Sequence, residues 1–161
     1  MSVKIEFESG LSKEEKYIEL VPRIISLIDD EKDFIANISN ITSALKFSFN
    51  DFLWVGFYFK DGDELVLGPF QGKPACTRIV VGKGVCGTAA LRKETIIVED
   101  VNKFPGHIFC DSDSKSEIVI PVIKDGELKA VLDIDSGEYG FFDNTDKKHL
   151  EDLILRISKI F

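Results

Sequence analysis

Two β-hairpin signals constrain the fold of this chain more than any other feature. Asp61-Gly62 and Asp125-Gly126 each separate two segments rich in β-branched or aromatic residues. An Asp-Gly pair in this setting favours a tight turn between antiparallel strands. The sequence therefore predicts a mainly antiparallel sheet. The segments predicted as strands are residues 52–60, 65–67, 78–81, 95–98, 117–123 and 127–134.

Three amphipathic segments predict helices around these strands. A capping box at Ser12–Glu15 begins the first helix, and Pro22 should kink or divide it. The second helix spans about 33–49, and the last follows a cap at 143–146. Hairpins together with flanking helices predict an α+β domain in which the helices cover one face of the sheet.

Length and charge exclude several classes of function. A chain of 161 residues predicts one domain, and its net charge of −8 argues against a surface for nucleic acid or anionic membranes. No apolar run reaches the ~20 residues that cross a bilayer. The first residues contain no apolar signal segment, so a cytoplasmic location is expected.

A glycine motif in the middle of the chain has two interpretations. Gly82, Gly84 and Gly87 match the Gly-x-Gly-x-x-Gly fingerprint of dinucleotide-binding folds, and Glu99-Asp100 follows near the expected spacing. The context argues against a nucleotide site, because the helix predicted at 88–92 is short and the chain lacks βαβ units. We expect a tight strand-to-helix turn instead.

The three cysteines, Cys76, Cys86 and Cys110, fall within about 35 residues. Cytosolic proteins rarely keep disulfides for stability, so redox chemistry, a metal site and simple burial are the open alternatives. No Cys-x2-Cys pair occurs and the two histidines lack zinc-site spacing, so no metal site is predicted. Cys110 lies in a predicted loop, residues 100–115, whose length is typical of functional loops.

Acidic and aromatic side chains are predicted to share a face of the sheet. Asp133 and Asp135 alternate along one strand, and Glu117 lies on its hairpin partner. Burying three carboxylates is costly without a cation, so either they bind one or they form a solvated face. Trp54 and Tyr58 also share one strand face, as a pocket wall or as ordinary core.

With these residues in view, the chain resembles the GAF domains and, within them, the free methionine-(R)-sulfoxide reductases. The resemblance covers nearly the whole chain and implies one α+β GAF domain over residues 1–161, with a six-stranded antiparallel sheet flanked by helices. Phe109 departs from the pattern, because family members often carry a small residue there. The matching segments are Trp54–Tyr58, Leu67–Gly72, Pro74–Cys76, Gly82–Ala90, His107–Asp111, Ser116–Pro121 and Leu132–Ser136.

The resemblance implies a catalytic role for the cysteines. Cys110 matches the nucleophile, which attacks the substrate sulfur and becomes a sulfenic acid. Cys76 matches the resolving cysteine, which forms a disulfide that thioredoxin reduces. Cys86 matches a third cysteine near the site that can form an alternative disulfide. No cofactor is implied.

The resemblance also implies the substrate and its pocket. Trp54 and Tyr58 match pocket-lining residues, and Glu117, Asp133 and Asp135 match residues that bind or polarise free methionine (R)-sulfoxide. The α-ammonium of a free amino acid supplies the cation that buried carboxylates need, whereas a peptide nitrogen is uncharged. A homodimer with a role in oxidative stress is expected. The alternative is a non-catalytic GAF domain that senses a small molecule.

Overall fold

A single six-stranded sheet forms the centre of the molecule. The computed structural model describes residue 5, residues 7–108 and residues 111–161. Its strands lie in the order β3-β2-β1-β6-β5-β4, and every pairing between them is antiparallel. The antiparallel hairpins predicted from the two Asp-Gly turns are therefore confirmed. The strands are β1 Phe52–Asp61, β2 Glu64–Gln71, β3 Arg78–Val80, β4 Ile96–Val98, β5 Ser116–Lys124 and β6 Glu127–Ser136.

Helices lie on both faces of this sheet. None of the α-helices in the described part of the chain combines the length and apolarity that a bilayer crossing requires. Two short 3-10 helices, Val101–Lys103 and Ser158–Ile160, follow β4 and the last α-helix. The α-helices are α1 Lys13–Ile28, α2 Phe34–Ser48, α3 Gly84–Arg92 and α4 Asn144–Ile157.

The larger core lies between one face of the sheet and helices α1, α2 and α4. Pro22 stands inside α1, which is continuous from Lys13 to Ile28, so the proline does not divide the helix, and the kink stays a prediction. Proline removes one backbone hydrogen bond from a helix. Leu20, Val21 and Ile24 around it are buried in this core, and their packing stabilises the helix on both sides of the proline.

Helix α3 covers the opposite face of the sheet, which corrects the prediction that all helices share one face. Its Val85, Ala89 and Ala90 pack in a second, smaller core with residues of β1, β5 and β6. The sheet thus has apolar side chains on both faces, and the strand alternation alone did not show this. The functional residues lie on the α3 side.

The glycine motif forms the turn from β3 into α3, as expected. Gly82 and Gly84 have φ values of +90° and +62°, which favour glycine because it has no Cβ. A Cβ at Gly87 would overlap the carbonyl oxygen of Val80. The motif therefore allows close contact between strand and helix, and no parallel βαβ unit surrounds it.

We predict that Asp146 holds α1 against the beginning of α4. Its buried carboxylate accepts hydrogen bonds from Tyr17 Oη at 2.8 Å and Lys13 Nζ at 2.7 Å. Asp146→Ala leaves the Tyr17 hydroxyl buried without this acceptor, so the free energy of unfolding should fall by about 2–4 kcal/mol in urea denaturation. The control Asp152→Ala, which removes an exposed ion pair with Arg156, should cost about 0.5 kcal/mol or less. Equal losses in the two variants would contradict this.

Candidate active site

A pocket opens on the α3 side of the sheet, where β1, β6 and β5 run side by side. Residues from the beginning of α3, from the segment after β2 and from the loop before β5 complete its walls. The pocket unites six of the eight side chains that the sequence singled out: Trp54, Tyr58, Cys86, Glu117, Asp133 and Asp135.

Trp54 and Tyr58 form an aromatic wall of the pocket, and two glycines leave the space that the Trp54 indole occupies. A Cβ added at Gly56 would lie 2.6 Å from the Cβ of Phe70 and would overlap the indole of Trp54. At Gly72, where φ is +140°, an added Cβ would also overlap that indole. The ring stacks on Phe70 at 5.3 Å and on Tyr58 at 6.0 Å between centroids. Trp54 therefore has one well-defined place in the wall.

The same aromatic residues hold the segment that carries Cys76. Trp54 Nε1 donates a hydrogen bond to the carbonyl of Lys73 at 3.0 Å, and Tyr58 Oη donates to the carbonyl of Cys76 at 3.1 Å. Cys76 packs against the smaller core and takes part in a disulfide. The position of this cysteine next to the pocket is thus coupled to the aromatic wall.

The acidic wall follows from the strand register. Glu117 on β5 is paired with Asp135 on β6, and Asp133 is paired with Gly56 on β1. All three carboxyl side chains face the pocket, as the alternation along β6 predicted. Asp135 accepts a hydrogen bond from Ser114 Oγ at 2.5 Å. The alternative of a solvated acidic face is wrong, because Glu117 and Asp133 are only 6% and 7% exposed.

Burial dominates the electrostatics of this wall. It raises the pKa of Glu117 and of Asp135 well above the usual range, and the negative charge of Asp133 raises both further. Burial raises the pKa of Asp133 to about 6. Without a cation in the pocket, protons therefore neutralise part of the acidic wall near neutral pH. The wall can donate a proton to a ligand or receive a positively charged group.

Cys86 lies in the first turn of α3, beneath the acidic wall. It is a free, buried thiol whose Sγ is 3.9 Å from Oε1 of Glu117. Burial, and then the charges of Asp133 and Glu117, raise its pKa well above that of an ordinary thiol. Cys86 is thus a protonated thiol at neutral pH, which is a poor nucleophile.

The loop before β5 reaches the pocket on both sides of Cys110. Ile108 and Asp111 line the pocket, whereas Phe109 and Cys110 lie outside the described residues. His107 Nε2 is 4.0 Å from Oε2 of Glu117, and burial lowers the pKa of this imidazole, which favours its neutral form. The proposed position of Cys110 near the pocket stays a prediction.

Three residues of the site were missed in the sequence. Ser114 donates a hydrogen bond to Asp135, and Lys73, which lines the pocket, forms ion pairs with Asp111 and Asp113. Polar residues in loops gave no signal for these contacts. Gly56 did give one, because a glycine inside an aromatic strand often marks a close approach of another group.

We predict that Gly56→Ala displaces the indole of Trp54. Overpacking of this kind costs about 1–3 kcal/mol of unfolding free energy. Trp54 is the only tryptophan of the chain, so its fluorescence spectrum should shift as well. The control Gly137→Ala, where the nearest atom to an added Cβ is 3.9 Å away, should change neither property. An unchanged spectrum and stability in Gly56→Ala would refute the proposed role of this glycine.

We predict that Asp133 makes the ligand-free protein less stable as the pH rises. Because its pKa of about 6 exceeds the usual value of about 3.9, the native state binds more protons than the unfolded state between about pH 4 and 6. Stability is therefore lost as pH rises through this window. Asp133→Asn should be more stable than the parent by about 1–3 kcal/mol near pH 7.5, with a smaller difference near pH 4.5, in urea unfolding.

Exposed Asp63 provides the matched control for this experiment. Asp63→Asn should change stability by a similar small amount at both pH values. A pH-independent effect of Asp133→Asn would show that the buried carboxyl is not the source of the pH dependence.

Comparison with known proteins identifies the family. A model of the GAF domain matches residues 29–159. The free methionine-R-sulfoxide reductase of Saccharomyces cerevisiae is 47% identical over 163 residues, covering 96% of this chain and 91% of the yeast protein. The enzyme of the same name from Escherichia coli is 43% identical over 150 residues, covering 93% of this chain and 91% of its own.

A solved structure agrees with these relatives. The free methionine-R-sulfoxide reductase from Neisseria meningitidis, in complex with its substrate, superposes with a TM-score of 0.95 at 45% identity. The match covers 99% of this chain and 96% of the other. The fold, the family model and these relatives together show that this chain belongs to the free methionine-R-sulfoxide reductase family of GAF domains.

Proposed function

We propose that this protein reduces free methionine (R)-sulfoxide to methionine. The observation that carries the proposal is the pocket itself, which is lined both by the rings of Trp54 and Tyr58 and by the carboxyls of Glu117, Asp133 and Asp135. Such a pocket offers an apolar surface for the S-methyl end of the substrate and carboxyl groups for its α-ammonium. The family of reductases that act on the free amino acid supports the same substrate.

The acidic wall explains why the substrate is a free amino acid. Without a ligand, burial raises the pKa values of Glu117 and Asp133, so these carboxyls bind protons more readily than usual. A bound α-ammonium group offsets the cost of burying their charged forms instead. In a peptide the same nitrogen is an uncharged amide and offers no such compensation. The wall therefore selects the free form over protein-bound methionine sulfoxide.

The first chemical step uses Cys110 as the nucleophile. Its sulfur bonds to the sulfoxide sulfur while the protonated oxygen of the substrate leaves as water. Attack of that water on Cys110 Sγ then breaks the new sulfur–sulfur bond, so Cys110 becomes a sulfenic acid and methionine leaves with the electron pair of that bond. A carboxyl of the acidic wall, kept protonated by burial, supplies a proton to the departing oxygen. Ile108 and Asp111, close to Cys110 in sequence, line the pocket and support this role.

The second step uses Cys76 as the resolving cysteine. Its thiol condenses with the sulfenic acid of Cys110, releasing water and forming a disulfide. The disulfide in which Cys76 takes part supports its role as a resolving cysteine. A dithiol protein such as thioredoxin then reduces the disulfide by exchange.

The same proposal includes the setting of the enzyme. Thiols carry the electrons, so the reaction requires no cofactor. We place it in the cytoplasm, where thioredoxin-type reductants operate and oxidative stress generates the substrate. A homodimer is supported by large apolar side chains that are exposed on α1, α2 and α4, namely Ile18, Phe47 and Leu155.

We predict that the reduced protein converts free methionine (R)-sulfoxide, but not the S epimer, to methionine with dithiothreitol or thioredoxin. One equivalent of substrate should remove two of three thiols per chain. Cys110→Ser should lower kcat by at least about 1,000-fold, because no other group replaces the nucleophile. Cys76→Ser should still release about one methionine per chain in a single turnover, yet lose recycling by thioredoxin.

Cys86→Ser serves as the matched thiol control and should retain the loss of two thiols. Turnover by Cys110→Ser at the parent rate would overturn the proposed function. Tight binding of the sulfoxide without any loss of thiols would instead favour a non-catalytic sensing domain.

A further inference from the structure

Three potential ligand atoms converge at the base of the pocket. Cys86 Sγ, one oxygen of Glu117 and one oxygen of Asp133 all lie within 4.8 Å of one another. They come from three elements, α3, β5 and β6, and all three residues are buried. The chemistry proposed for the reductase uses Cys110 and Cys76 and assigns no step to Cys86.

A second observation points to a ligand at this position. Oδ1 of Asp133 has no hydrogen-bond partner among the described residues, and water reaches it poorly because the residue is only 7% exposed. A buried carboxylate oxygen without a partner loses the interactions that it would have with water. A cation at the centre of the cluster would restore them.

We propose that Cys86, Glu117 and Asp133 form a binding site for a borderline-soft divalent cation of the Zn²⁺ or Cd²⁺ type. Zinc bonds of about 2.3 Å to sulfur and about 2.0 Å to oxygen, at a tetrahedral angle, place these ligand atoms about 3.5 Å apart. The 3.9 Å between Cys86 Sγ and Glu117 Oε1 is close to this separation. All three residues line the pocket, so a water molecule from the pocket could complete the coordination.

The donor set decides which class of cation fits. A thiolate favours zinc and cadmium, whereas Mg²⁺ and Ca²⁺ prefer six or more oxygen ligands. Two carboxylates and one thiolate carry three negative charges, which a divalent cation largely offsets. Spacing along the chain does not reveal such a site, because its ligands are adjacent only in the folded sheet.

The site predicts competition between the cation and the substrate. This part rests on the proposed function, in which Glu117 and Asp133 receive the α-ammonium of the amino acid. A metal ion bound to the same carboxylates would exclude that ammonium. Zinc would then inhibit the reductase by occupying its amino-acid site.

The test uses the double variant Cys76→Ser/Cys110→Ser, in which Cys86 is the only cysteine. Titration with Cd²⁺ should produce the ultraviolet absorption of a cadmium–thiolate bond, with one Cd²⁺ per chain. Adding Cys86→Ser should abolish this absorption. Adding Asp133→Asn should weaken Cd²⁺ binding by at least about 10-fold, since even the outer partners of metal ligands are worth that much.

Asp135→Asn in the same background is the matched control, because Asp135 is a carboxyl of the same pocket outside the cluster. It should change the affinity for Cd²⁺ by about 3-fold or less. Glu117→Gln gives a second ligand variant, and circular dichroism checks that each variant is folded. Absence of the absorption in the double variant, or equal effects of Asp133→Asn and Asp135→Asn, would overturn the site.

Adding free methionine (R)-sulfoxide to the Cd²⁺ titration tests the competition separately from the existence of the metal site. We expect the sulfoxide to raise the apparent Kd for Cd²⁺ in the double variant in proportion to its concentration. If Cd²⁺ binds as predicted and the sulfoxide has no effect, the metal site stands. The placement of the substrate ammonium at Glu117 and Asp133 is then wrong.

Discussion

Three carboxyl groups crowded on one face of a β-sheet determine the chemistry of this molecule. Glu117 and Asp133, on β5 and β6, are buried and Asp135 is half-buried, so a negative charge is costly there. The folded protein reduces this cost in two ways. The Ser114 hydroxyl donates a hydrogen bond to Asp135, and the raised pKa values of Glu117 and Asp133 favour their neutral forms. In the proposed function, the α-ammonium of the substrate relieves the remaining cost.

The opposite face of the sheet holds these carboxyls in place. Leu132 and Ile134, which alternate with the two aspartates along β6, are fully buried against the helices α1, α2 and α4. A shift of β6 by one residue would move the aspartates into that apolar core and the leucine into the pocket, which is strongly unfavourable. The large core therefore fixes the register that presents the acidic wall. Trp54, Tyr58 and Cys86 belong both to the smaller core and to the pocket lining.

Local signals allowed much of this fold and site to be predicted from the sequence. The Asp-Gly turns, the capping box at Ser12 and the two-residue spacing of Asp133 and Asp135 each depend on neighbouring residues. The face covered by α3 could not be predicted, because its apolar residues fit either side of a sheet. The approach of Cys86 to Glu117, 31 residues away, depends on the closed fold. The same holds for the bond from Ser114 to Asp135.

A matched pair of substrates shows whether the acidic wall recognises a free α-ammonium. N-acetylation of methionine (R)-sulfoxide removes the charge of the α-nitrogen and leaves the sulfoxide intact. We predict that kcat/KM for the acetylated compound is lower than that for the free amino acid by on the order of 100-fold or more, because the buried carboxylates are then left without a cation. Values of kcat/KM within about 3-fold of each other would contradict it.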